Sequence, residues 1–148
     1  MVKELILFLK YFIVLLVLSI NIQAKQIYNN IIIDKVTSIY DGDTFRVNIN
    51  SYPDIIGKKM AIRVNGIDTP EIRTKCIKEK KLARLAKQLT VSTLRNAKII
   101  ELRDMKRGKY FRIVADVYAD GKSLADILIQ NKLAVKYNGG TKTKNWCK

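Results

Sequence analysis

The chain has 148 residues, 28 Lys and Arg against 13 Asp and Glu, a formal net charge of +15 and no histidine; that length suits one domain. The missing histidine excludes an imidazole base, a histidine-containing catalytic triad and a histidine-rich zinc site. The cationic excess favours a polyanionic partner, nucleic acid before an acidic membrane surface.

Residues 1–24 read as an export signal. Lys3 and Lys10 lie near the start, an apolar run follows over residues 11–20, and Ile22 and Ala24 suit the positions before a cleavage site. That run is short for a bilayer span of roughly 20 residues. The expectation is therefore cleavage, with a mature domain over residues 25–148 in the periplasm or secreted. An uncleaved membrane anchor is the alternative. Cleavage removes two of the 28 cations and one of the 13 anions, so the mature part stays strongly basic. The only two cysteines, Cys76 and Cys147, follow the signal. Disulfides persist in such compartments, and only one intramolecular pairing exists.

Next, residues 31–40 are rich in β-branched side chains and predict a strand. Asp41-Gly42 is a hairpin turn signal, and residues 44–49 alternate as a second strand. Pro53, Asp54 and Gly57 mark residues 51–57 as a loop. A third strand over residues 59–64 stops at Asn65-Gly66, and Thr69-Pro70 breaks the sheet pattern. Ile77, Leu82, Leu85, Ala86 and Leu89 recur at helical spacing among lysines and arginines, predicting an amphipathic helix over residues 77–95. A fourth strand covers residues 98–103, a basic turn around Gly108 covers 105–109, and a fifth strand covers 110–118 before Asp120-Gly121. Ser123 suits the cap of a second helix over residues 124–130. The tail over residues 137–148 is polar, with Gly139-Gly140 and a late Trp146. Five short antiparallel strands with an intervening helix predict an α+β, mainly β domain. Its form is a five-stranded OB-fold barrel with two to three helices. Such a barrel commonly offers nucleic acid a groove, but fold alone does not decide function.

Chemistry concentrates in Asp41-Gly42-Asp43-Thr44, in the segment from Arg63 to Glu71, and at Arg112. Each has an ordinary reading: a turn, a capped loop, a solvated charge on a strand. The first is no EF-hand, because the later ligands and closing glutamate are missing. Together they make a phosphoryl-transfer set. Asp43 and Asp68 are hard oxygen ligands for Ca²⁺, and the Thr69 carbonyl is a candidate third. Glu71 is placed to orient or deprotonate a water. Arg63 and Arg112 offer planar, permanently charged forks to the negative charge that builds on phosphorus oxygens.

Those segments, with Lys109-Tyr110-Phe111-Arg112 and Val117-Tyr118-Ala119-Asp120-Gly121-Lys122, resemble the thermonuclease (staphylococcal nuclease-like) family from about Lys35 to about Tyr137. The resemblance implies an OB-fold, Ca²⁺ dependence, and hydrolysis of DNA and RNA with 5′-side P–O scission. It implies metal ligation by Asp43, Asp68 and the Thr69 carbonyl, and catalysis by Arg63, Glu71 and Arg112. Lys109, Tyr110 and Tyr137 match the family's nucleotide contacts. The chain departs from the pattern at Phe111, where the family usually has glycine. Tyr137-Asn138-Gly139-Gly140 with Trp146-Cys147 looks like an exported, disulfide-bearing branch. No obligate protein partner is implied, and a monomer is expected. The rivals are a non-catalytic nucleic-acid-binding module on the same barrel and a membrane-tethered DNA-capture protein.

Overall fold

A computed structural model describes residues 28–148; the expected export signal lies outside the described residues. In chain order the elements are β1 (Ile31–Ile32), β2 (Lys35–Ile39), β3 (Thr44–Asn48), α1 (Asp54–Gly57), β4 (Met60–Val64) and β5 (Ile67–Asp68). Then come α2 (Ile77–Asn96), β6 (Ile100–Arg107), a 3₁₀ turn (Lys109–Phe111), β7 (Ile113–Ala119), β8 (Lys122–Ser123), α3 (Leu124–Gln130) and β9 (Val135–Lys136). Among the described residues no helix is long and apolar enough to cross a membrane.

The main sheet runs β1-β6-β7-β4-β3-β2, with β8 beside β7. Alternation sets its inner face: Phe45 and Val47 of β3, and Met60, Ile62 and Val64 of β4, are buried. Register shifts between Val36 and Ser38 and between Arg103 and Lys106 bend the strands. The sheet curls into an OB-fold-like half-barrel around Phe45, Ile62, Leu102 and Val117. Helix α2 buries Ala83, Ala86, Thr90 and Leu94, one helical stripe, and packs on β2 and α3. Cys76 caps it, accepting a 3.4 Å bond from the Glu79 amide. Ser123 caps α3 as expected, accepting from the Asp126 amide at 3.2 Å.

Several local expectations need correction. The strands are not all antiparallel: β4 and β7 pair parallel, with Arg63 opposite Val114. The helix and strand between them supply the length that a parallel crossover needs. The first strand breaks after Ile32. Within the loop over residues 51–57, Pro53 presets the start of a one-turn helix, its carbonyl accepting from the amides of Ile56 and Gly57. The basic turn is largely strand: β6 continues to Arg107 through an irregularity at Asp104, φ 47°, and buries Met105. The fifth strand starts only at Ile113, because Tyr110 and Phe111 take left-handed backbone angles, φ 57° and 56°. A second small sheet, β5 with β9, pairs Asp68 with Val135. It draws the polar tail back beside the Arg63–Glu71 segment.

Candidate active site

The β2–β3 turn is shaped by packing as well as by turn chemistry. A Cβ on Gly42 would meet Ala86 Cβ at 2.8 Å and Thr69 Cγ2 at 3.0 Å. Thr90, fully buried on α2, donates to the Gly42 carbonyl at 2.7 Å. The glycine thus lets α2 and the Thr69 loop close on the turn together. Gly42→Ala is expected to cost about 1–3 kcal/mol in urea unfolding; unchanged stability would mean that this contact is loose.

The turn holds Asp43 1 % exposed. Its Oδ2 accepts from the Thr69 amide at 3.2 Å and the Thr69 hydroxyl at 3.0 Å, and its Oδ1 accepts from the Thr44 hydroxyl at 3.0 Å. The Asp43 carbonyl accepts from the Val64 amide, which locks the turn to β4. One residue before Val64, Arg63 directs Nη1 to Asp43 Oδ1 in an ion pair. Arg63 Nη2 donates to the Ile67 carbonyl at 3.2 Å and lies 3.7 Å from Asp68 Oδ1. The guanidinium therefore joins the two aspartates that the sequence pairs.

Asp68 is also buried. Its Oδ1 has no aligned hydrogen-bond donor; its contacts are ionic, Arg63 on one side and Lys142 Nζ at 2.8 Å on the other. Lys142 also reaches Glu71 Oε1, at 2.5 Å. Burial opposes the charged amine, but the contacts with Asp68 and Glu71 outweigh it and hold the Lys142 pKa above the ordinary lysine range. Burial, and secondly the neighbouring Asp43 carboxylate, push the Asp41 carboxyl up to about 7.

A cleft of about 370 Å³ opens over this cluster, lined by Tyr40, Asp41, Arg63, Glu71, Arg112 and Lys142 among others. Tyr137 lines it too, held by its amide on the Gly66 carbonyl at 2.9 Å and its hydroxyl on the Gly140 carbonyl at 2.6 Å. Arg63, Glu71, Arg112 and Tyr137 thus come together at one mouth. Asp43 and Asp68 stand behind it, joined to its lining through Arg63 and Lys142, and Thr69 bonds to Asp43. Tyr110 is 87 % exposed on the adjoining loop, and Lys109 is exposed beside it, its carbonyl accepting from the Arg112 amide and Nε, each at 3.3 Å. Phe111 keeps the left-handed conformation that a glycine would supply, so Arg112 still lines the cleft.

The family model described as staphylococcal nuclease homologue matches residues 61–146, more than half of the chain. The chain belongs to the staphylococcal nuclease family. No curated protein is similar enough to count as a match. The matched span holds both arginines, Asp68, Thr69, Glu71 and the tail as far as Trp146. Asp43 lies outside it and enters the site through the pairing of β3 with β4, Thr44 opposite Arg63. Two members of the cluster have no role that the sequence assigns. Asp41 reads as a turn residue, and Lys142 lies in a polar tail without pattern. What ties that end of the tail down is Cys147, bonded to Cys76 with Cα atoms 6.2 Å apart.

Proposed function

We propose that this protein is a Ca²⁺-dependent, sugar-nonspecific phosphodiesterase that hydrolyses DNA and RNA as an exported monomer. The observation that carries the reading is the meeting of Arg63, Glu71 and Arg112 at one cleft, with Asp43 and Asp68 against Arg63 at its inner wall.

The donors suit a hard cation. They are carboxylate oxygens with no thiolate or imidazole among them, and Asp68 Oδ1 is a buried acceptor without an aligned donor. Among the described residues no three carboxylates or cysteines already form a metal cluster, so Asp43 and Asp68 need the Thr69 carbonyl and waters to complete a shell. A bound Ca²⁺ supplies charge stabilisation and an activated water. The protein's part is orientation and charge. Arg63 and Arg112 hold the scissile phosphate from two sides of the cleft and answer the charge that develops on its oxygens. Glu71, once released from Lys142, accepts a proton from the attacking water or orients it. Lys109, Tyr110 and Tyr137 steady the strand beside that phosphate.

A non-catalytic binding module would need the cations but not a buried acid pair organised around an arginine. A tethered capture protein would need the N-terminal segment to remain as an anchor. Plasmid and RNA digestion by purified protein, with and without Ca²⁺, tests the reading. Both polymers should be cut with Ca²⁺ and spared in chelator. Full cutting in chelator would sink the metal assignment, and no cutting under either condition would leave the binding module.

A further inference from the structure

Phe111 takes the place of the family's usual glycine and keeps the left-handed backbone that glycine adopts freely, φ 56° beside φ 57° at Tyr110. Side chains disfavour that conformation, and bulky ones most. Neither aromatic offsets the strain by burial: Tyr110 is 87 % exposed and Phe111 53 %. Each ring instead has an arginine over it. Arg107 Cζ is 3.7 Å from the Phe111 centroid, and Arg112 Cζ is 5.5 Å from that of Tyr110. A strained, exposed, cation-flanked aromatic pair signals recognition rather than packing.

Its surroundings identify the ligand. The cleft over the acid cluster shares Tyr40, Thr44 and Arg112 with a second cleft of about 350 Å³. The second shares Arg46, Ala61 and Tyr110 with a third of about 260 Å³, which adds Lys58, Lys59 and Phe111. A continuous path therefore leads from Arg112 across β3 and β4 to Phe111. Its charged lining is cationic apart from Asp41 and Glu71 at its inner end. At the outer end Lys58 Nζ donates to Asn50 Oδ1 at 2.9 Å and lies 3.9 Å from Asp54, both across exposed side chains that a phosphate can displace. Alternating cations and aromatic faces suit the phosphates and bases of an unpaired strand. A duplex keeps its bases stacked inside and offers no face to Phe111.

We propose that this path is an extended binding subsite for single-stranded nucleic acid. Phe111 stacks on a base about one or two nucleotides beyond the phosphate that Arg112 grips, because the two residues are chain neighbours with Cα atoms about 3.8 Å apart, and Lys58 and Lys59 hold backbone phosphates. The proposal rests on the nuclease reading and deepens it, assigning strand-length dependence to a residue outside the acid cluster. Arg107 covers one face of the Phe111 ring, and the base takes the other.

The test is fluorescence anisotropy in chelator at low salt, using oligothymidylates of about ten and two nucleotides and a ten-base-pair duplex, paired with cleavage rates in Ca²⁺. Phe111→Gly should bind the longer strand about five- to tenfold more weakly, the lower end for loss of one stacked base. It should change binding of the dinucleotide and the duplex by less than twofold. Its thermal stability should not fall, because glycine tolerates the left-handed angle. Phe111→Trp should restore binding. The double variant Lys58→Gln, Lys59→Gln should reduce the log–log salt slope on the longer strand by about 1.4. Equal binding of the longer strand by wild type and Phe111→Gly, or an equal loss on the duplex, would overturn the subsite. Were wild type to cut the dinucleotide with no length effect from Phe111→Gly, only this proposal would fall. Were wild type neither to bind nor to cut any substrate, the nuclease reading would fall with it.

Discussion

Arg112→Ala should lose on the order of 10²–10³ in kcat and melt like wild type, whereas Arg63→Ala should lose a similar rate factor and a large share of its stability. The two side chains face the same cleft but differ in what lies behind them. Among the described residues the Arg112 side chain bonds only the Lys109 carbonyl, at 3.3 Å, and partly covers the exposed Tyr110 ring; its removal leaves no described group buried and unpaired. Arg63 is the counter-ion of Asp43, whose side chain is 1 % exposed. Removing one partner of a buried ion pair costs about 3–5 kcal/mol, because a charge stays behind without its partner. The Thr44 and Thr69 bonds to Asp43 remain and should keep the loss near the lower end. Single-turnover cleavage, DNA anisotropy and urea unfolding on both variants separate the effects. Arg112→Ala should bind DNA nearly as well as wild type while cutting it slowly. Wild-type cutting by both variants would place the chemistry elsewhere, and an unstable Arg112→Ala would mean that its side chain is structural.

The contrast follows what was legible in the sequence. Arg63, Asp68 and Glu71 fall within nine residues, so β4, β5 and the loop after them bring the three together whatever the global fold does. The helix over α2 and the capped α3 are local matters of spacing and cap chemistry, and the sequence shows both. The parallel β4–β7 pair does not show, because its partners lie far apart in the chain; Asn65 reaches Asp116 across 51 residues, Nδ2 to Oδ1 at 2.8 Å. Gly42 has an evident turn role, but the need for it comes from Ala86 and Thr69, which no local rule places nearby. The left-handed Tyr110-Phe111 step is hidden for the opposite reason. Glycine, asparagine and aspartate announce such a conformation, and an aromatic pair announces a strand instead. Lys142 is the hardest to foresee: only the tail's attachment brings its amine onto Asp68 and Glu71.

That attachment predicts the other large effect. Breaking the Cys76–Cys147 bond should lower the unfolding free energy by roughly 4 kcal/mol, the chain-entropy figure for a loop of this size, given a separation of 71 residues. It should also release the tail before the barrel unfolds. Among the described residues, apart from Lys142 on Asp68 and Glu71, little else holds the end of the chain. Lys78 Nζ donates to the Lys148 carbonyl at 2.7 Å across an exposed surface, and Trp146 is buried but its indole nitrogen has no partner. Trp146 is the only tryptophan, so its emission reports the tail directly. Under mild reduction, or in Cys147→Ser, emission should shift to the red while the far-ultraviolet circular dichroism of the barrel persists, and native protein purified without reductant should show no free thiol on alkylation. The freed tail carries Lys142 with it, which removes the amine that stands against Asp68 and Glu71. Cys147→Ser and Lys142→Gln should therefore both bind Ca²⁺ more tightly than wild type in titration calorimetry, because neither must displace a lysine from Asp68. Lys142→Gln should do so with its tryptophan emission unchanged. Two alkylated cysteines in the native protein purified without reductant would exclude the bridge. Unchanged Ca²⁺ affinity in Lys142→Gln would show that the amine and the ion do not compete for the same carboxylate.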